Sequence, residues 1–225
     1  MKILCVSDTT SSLAYSSQCR ELYGESSLVL SCGDLPLNYY DYLSTVLHRD
    51  VYYIYGNHNL ELFAQQMENA DNMKPSTEHD FIPKFYGFLL DGKCVYDKKH
   101  DLLVAGLGGS MYYNGGKSQY TEGQMKGRIA RLAPRLLFNK IRYGRYLDIL
   151  ITHAPPKGIG DCEDPCHQGF ECFLSFMEKY SPKYLLHGHV HLDDRNAPRE
   201  TVYKNTKVVN VYREYLLDDD TLGGE

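Results

Sequence analysis

The chain has no tryptophan among its 225 residues, no excess of positive charge, no Cys-x-x-Cys pair and no apolar run long enough to span a bilayer. Each absence narrows what the protein can be. Without a membrane-length run no transmembrane anchor is expected, and the opening Met1–Val6 is too short for a secretory leader. With a net charge of -5, no basic field draws in nucleic acid, although a nucleotide remains admissible as a small substrate. The seven cysteines are an odd number without zinc-knuckle spacing. Cys162 and Cys166 share a Pro/Gly-rich loop with His167 but lack two further zinc ligands, so the thiols read as reduced packing residues of a cytoplasmic protein. A phosphate loop is missing too, because no lysine-serine pair or helix start follows Gly108-Gly109-Ser110 at the needed spacing. In place of tryptophan there are 20 tyrosines, most of them strand and half-buried filler. Tyr39, Tyr40, Tyr112 and Tyr113 lie near polar turns, where a ring could stack on a substrate.

What is present alternates. Apolar, β-branched runs at Lys2–Val6, Leu28–Leu30 and Val51–Tyr55 read as buried strands. Helical spacing follows each, over Ser11–Tyr23, Tyr39–Leu47 and Leu60–Asn69. Three strand–helix repeats imply a parallel sheet with right-handed crossovers. Asp71–Lys84 reads as a polar, proline-broken loop. Phe85–Leu90 and Lys93–Tyr96 then read as a hairpin turned at Asp91-Gly92. Leu102–Leu107, Leu147–Thr152, Lys183–Leu186, Thr201–Tyr203 and Lys207–Tyr212 are further strands, and Gln168–Tyr180 is a helix. Thr121–Arg142 is a basic amphipathic helix, interrupted at Pro134, with Lys126, Arg128, Arg131, Arg135, Lys140 and Arg142 on its solvated side. No repeat or interdomain linker is visible. Residues 1–217 are expected to form one domain and 218–225 an acidic, frayed tail.

Five strands end in polar side chains: Asp8, Asp34, Asn57 with His58, His153, and His189 with His191. Ligands of parallel α/β sheets bind beyond the carboxyl ends of the strands. Two carboxylates, one amide oxygen and three imidazoles form a mixed ligand set that suits Mn, Fe or Zn better than Ca or Mg, without the thiolates of structural zinc. Six ligands are too many for one catalytic ion with an open position and enough for two ions sharing a bridge.

The order Asp8, Gly33-Asp34, Gly56-Asn57-His58, His153, Gly188-His189-Val190-His191 resembles the calcineurin-like metallophosphoesterases. The resemblance implies a four-layer α/β/β/α sandwich of two mixed sheets with a dinuclear centre at one edge. It further implies that Asp34 bridges the metals, that Asp8 and His191 hold the first, and that Asn57, His153 and His189 hold the second. His58 would stand over the substrate and protonate the leaving oxygen, with a metal-bridging hydroxide as nucleophile. The implied reaction is hydrolysis of a phosphomonoester or phosphodiester in a small substrate, a nucleotide among the candidates. The chain departs from the family twice. Thr10 stands where a first-metal histidine is usual, which weakens that site, and Asn59 stands where a carboxylate is usual. These departures keep open an alternative, a metal-binding regulatory or interaction module with the same fold. His187 reads as a packed histidine outside the ligand set.

Overall fold

In β1 (Lys2–Ser7), Ile3 and Cys5 point one way, Leu4 and Val6 the other, and all four are fully buried. A strand apolar on both faces has to be covered on both. The computed structural model, which describes residues 1–59, 87–192, 194 and 197–223, shows what covers it. The first sheet joins β1 in parallel to β2 (Leu28–Ser31), β3 (Val51–Tyr53) and β4 (Gly87–Leu89), with β13 (Arg213–Asp218) antiparallel at its edge. The second contains β5 (Cys94–Asp97), β6 (Leu102–Leu107), β9 (Ile149–Thr152), β10 (Tyr184–His187), β11 (Glu200–Tyr203) and β12 (Thr206–Asn210), in the order β11-β12-β10-β9-β6-β5. Its four inner strands are parallel and both edge strands antiparallel. The short strands β7 (Ser110–Met111) and β8 (Gln119–Tyr120) pair in parallel with each other beyond the end of β6.

Strand alternation then builds the layers. Ile3, Leu30, Val104, Ile151, Leu186 and Val209 meet between the sheets. Leu4, Val6 and Val29 lie under α1 (Cys19–Tyr23) and α2 (Leu37–Leu47). Leu103, Ala105, Leu150 and Leu185 lie under α3 (Glu122–Tyr143) and α4 (Glu171–Tyr180). The order is therefore α/β/β/α with two mixed sheets, as the family resemblance implied. Each fully buried leucine contributes about 1.5–3 kcal/mol by leaving water.

Several expectations need correction. Phe85–Leu90 and Lys93–Tyr96 do not form a hairpin: β4 pairs with β3 in the first sheet and β5 with β6 in the second. The turn at Asp91-Gly92 carries the chain between sheets. The first helix is only Cys19–Tyr23, because Ser11 Oγ accepts the N–H groups of Leu13 (3.2 Å) and Ala14 (3.1 Å) and Ser16 Oγ that of Gln18 (3.2 Å), holding the preceding stretch in turns. Helix α3 runs through Pro134 without interruption, started by a capping box of Thr121 and Gln124. Arg128 leaves its solvated side and is anchored inward, donating to Gly108 O at 2.6 Å and pairing with Asp91.

Residues 213–218 form β13, Asp219 N bonds Met1 O at 3.0 Å, and Leu222 is buried between the sheets. Tyr39 and Tyr40 belong to the core, far from any substrate role. The expected helix Leu60–Asn69 and loop Asp71–Lys84 lie outside the described residues. No helix among the described residues is long and apolar enough to cross a membrane.

Candidate metal centre

Parallel strands bring their carboxyl ends to one edge, and the polar residues sit immediately past them. Asp8 follows β1, Asp34 follows β2, Asn57 and His58 follow β3, His153 follows β9, and His189 follows β10. The backbone there is unusual. Asp8 (φ 64°), Asp34 (φ 56°) and His189 (φ 66°) all adopt the left-handed region, which costs energy that the surrounding fold has to hold. Two glycines permit the close approach. A Cβ on Gly56 would strike the Asp34 carboxylate, and one on Gly188 would strike Ser7 Oγ and the Asp8 carboxylate.

Hydrogen bonds fix the side chains that result. Asn59, fully buried, accepts the N–H groups of Asp34 (2.7 Å) and Gly56 (2.6 Å) on Oδ1 and donates from Nδ2 to Leu35 O (3.1 Å). Asp34 Oδ1 accepts the His58 N–H at 2.8 Å. His153, also fully buried, places Nδ1 at 2.8 Å from Cys32 O and Nε2 at 2.9 Å from Asn57 Oδ1 and 3.1 Å from Asp34 Oδ2. The Asp8 carboxylate accepts the His189 N–H at 2.9 and 3.1 Å. Ligand atoms of Asp8, Asp34 and His153 all lie within 4.8 Å of one another. A cavity of about 340 Å³ opens over them, lined by Asp8, Asp34, Asn57, His58, Tyr113, Cys166, His167, His189 and His191.

Burial and mutual charge shape the protonation of this cluster. Burial pushes the Asp8 carboxyl up, with the His153 ring opposing. Burial pushes Asp34 up too, but His153 and the His58 N–H outweigh it and leave Asp34 below the usual carboxylate range. Burial pushes His153 down, and Asp34 and Asp8 outweigh that, so its pKa rises to about 9. His189 falls to about 3 through burial and the neighbouring His153 ring. Two carboxylates crowded in a buried site with a cation between them form a natural cation position.

A family model for calcineurin-like phosphoesterases matches residues 1–193. The chain belongs to that family. Its fold is similar to that of TT1561 from Thermus thermophilus, with a TM-score of 0.61, 15% identity, and coverage of 94% of this chain and 88% of that one. A phosphatase from Mycoplasma pneumoniae matches at a TM-score of 0.48 and 15% identity over 94% of this chain and 72% of its own. No curated protein matches.

Members of this family typically bind two divalent metals, and the donor set fits that. Asp8, Asp34, Asn57 and His153 converge as donors on one spot. His189 adjoins them, its ring 4.8 Å from that of His153, but its Nε2 lies 2.5 Å from Cys166 O. His191 is the outlier, half-exposed, stacked on Tyr212, with Nε2 3.9 Å from Asp8 Oδ1. Thr10 is not among the residues lining the cavity. His187 is buried and bonded to Gly188 O at 3.0 Å, with its pKa pushed down to about 4 by burial, which fits a packed histidine. Sequence reasoning singled out Tyr113, whose hydroxyl meets Asn57 Nδ2 at 3.3 Å, but missed Cys166 and His167 as cavity residues. The only signal for them was the unexplained Cys-x-x-x-Cys-His loop.

Proposed function

We propose that this phosphoesterase-family chain is a metal-dependent hydrolase of small phosphate esters, using two divalent ions drawn from Mn, Fe or Zn. The observation that carries the reading is the convergence of Asp8, Asp34 and His153 within 4.8 Å beneath a cavity that His58 also lines. Asp34 would bridge the ions, Asp8 and His191 would hold the first, and Asn57, His153 and His189 the second. Bound there, the ions supply Lewis acidity toward phosphoryl oxygens and acidify water near neutral pH.

The chain's own groups do the rest. Asn59 holds the backbone of Asp34 and Gly56, so both metal-bearing turns keep one geometry. Tyr113 orients the Asn57 amide. His58, tied to Asp34 through its backbone N–H, gives its ring proton to the leaving oxygen, a role worth about 10²–10⁴-fold in rate. A cavity of about 340 Å³ has room for a small ester, such as a nucleotide. The decisive experiment follows aryl phosphate monoester and diester hydrolysis by wild type and His58→Ala. Turnover should fall by about 10²–10⁴-fold in the variant with its metal content unchanged. Loss of metal from that variant would reassign His58 as a ligand.

The half-exposed His191 and the threonine at position 10 favour a second reading for the first site, a weakly held ion in a regulatory module. Counting ions separates the two: two per chain supports the enzyme, and one or none supports the module.

A further inference from the structure

The loop between β9 and α4 is closed at its base. Phe170 N bonds Pro155 O at 3.0 Å, and Lys157 N bonds Phe170 O at 3.1 Å. The Asp161 carboxylate spans the neck, accepting Gly158 N at 2.9 Å and Gly169 N at 3.1 Å. Compact loops pinned in this way are frequently functional. At its tip, Asp164 gathers three donors. Oδ1 accepts from Cys166 Sγ (2.7 Å) and from the His167 backbone N–H (3.2 Å), and both oxygens meet His167 Nδ1 (2.9 and 3.1 Å).

An exposed histidine–carboxylate pair three residues apart is ordinarily worth little. Two observations separate this one from that case. His167 lines the same cavity as His58, from a different loop. Its ring also ends a row of three imidazoles that runs outward from the buried centre, His153 to His189 at 4.8 Å and His189 to His167 at 5.1 Å. With Nδ1 held by Asp164, Nε2 is the nitrogen left to meet a ligand.

We propose that His167 is a substrate-contacting residue, oriented by Asp164, whose Nε2–H donates to a nonbridging oxygen of the phosphoester; this rests on the phosphoesterase reading above. Asp164 is a positioning residue, acting only through His167. A contact to the phosphoryl group common to substrate and product raises KM and weakens product inhibition together when it is removed.

The test uses the full chain loaded with Mn²⁺, with aryl phosphate esters as substrates and inorganic phosphate as inhibitor. His167→Ala should raise KM and the phosphate inhibition constant in parallel, by about 10- to 100-fold, more than kcat falls. His167→Gln, which retains a donor, should recover part of the loss. Asp164→Asn should give a smaller rise and Asp164→Glu should return toward wild type. Calorimetric titration of inorganic phosphate into the loaded protein measures the same contact without turnover. If wild type hydrolyses no ester, the phosphoesterase reading fails, and calorimetry alone decides the contact. Unchanged KM and phosphate affinity in His167→Ala overturn the proposal, as does failure of wild type to bind phosphate. Loss of an ion from His167→Ala also overturns it. That result would make Asp164, Cys166 and His167, whose donor atoms group within 4.8 Å, a metal site instead.

Discussion

Asn59 is a buried amide with three hydrogen bonds, and their polarity explains why no carboxylate stands there. Its Oδ1 serves two backbone N–H groups, and its Nδ2 donates to Leu35 O. A carboxylate would keep the first two and meet the carbonyl oxygen with no proton to give. Asn59→Ala leaves the buried N–H groups of Asp34 and Gly56 unpaired and should cost about 3 kcal/mol, read by denaturant titration. Asn59→Asp should also destabilise, although it restores the family's usual residue type. A neutral or stabilising Asn59→Asp would show that the Leu35 contact contributes nothing. Gly188 is equally constrained, since a Cβ there meets Ser7 and Asp8. Gly188→Ala should displace Asp8 and lower the number of bound ions, and retention of full metal content would refute that close approach.

Among the elements, the strand ends were legible in the sequence and their partners were not. A polar residue just after a buried apolar run is a local signal, so Asp8, Asp34, Asn57, His153 and His189 could all be marked. Whether Asp91-Gly92 turns a strand back or passes it to another sheet depends on pairing with β3 and β6, which no local pattern records. Strand β13 was missed because its burial is mixed at a sheet edge, so no clean alternation marks it. His167 was missed because its cavity is assembled from distant loops. Arg128 looked like one more basic residue on a wet helix face. Its guanidinium instead joins α3 to Gly108 and Asp91 and lies over the Tyr120 ring at 4.3 Å. Arg128→Ala strands the largely buried Asp91 carboxylate and should cost about 3 kcal/mol, measured by thermal or denaturant unfolding. A loss within experimental error would return Arg128 to the solvated face.

For the whole molecule, the metal centre couples to stability through His153. In the metal-free protein its ring sits against Asp34 with a pKa near 9, above the ordinary 6.5. The stabilisation from that raised value is fully present below pH 6.5 and disappears as pH rises through 9. The Tm of metal-free protein should therefore fall over this window. Metal binding needs a neutral imidazole, so metal affinity should rise over the same window as the proton is displaced. A flat Tm would show that no imidazolium stands between the carboxylates.

The central claim is that the edge shared by two sheets forms a dinuclear phosphoesterase centre. Titrating metal-free protein with Mn²⁺ while following aryl phosphate ester hydrolysis tests it most directly. Activity should be absent without metal and rise until two ions are bound per chain. Folded protein that binds the ions and hydrolyses no ester, or that saturates at one ion, would contradict it.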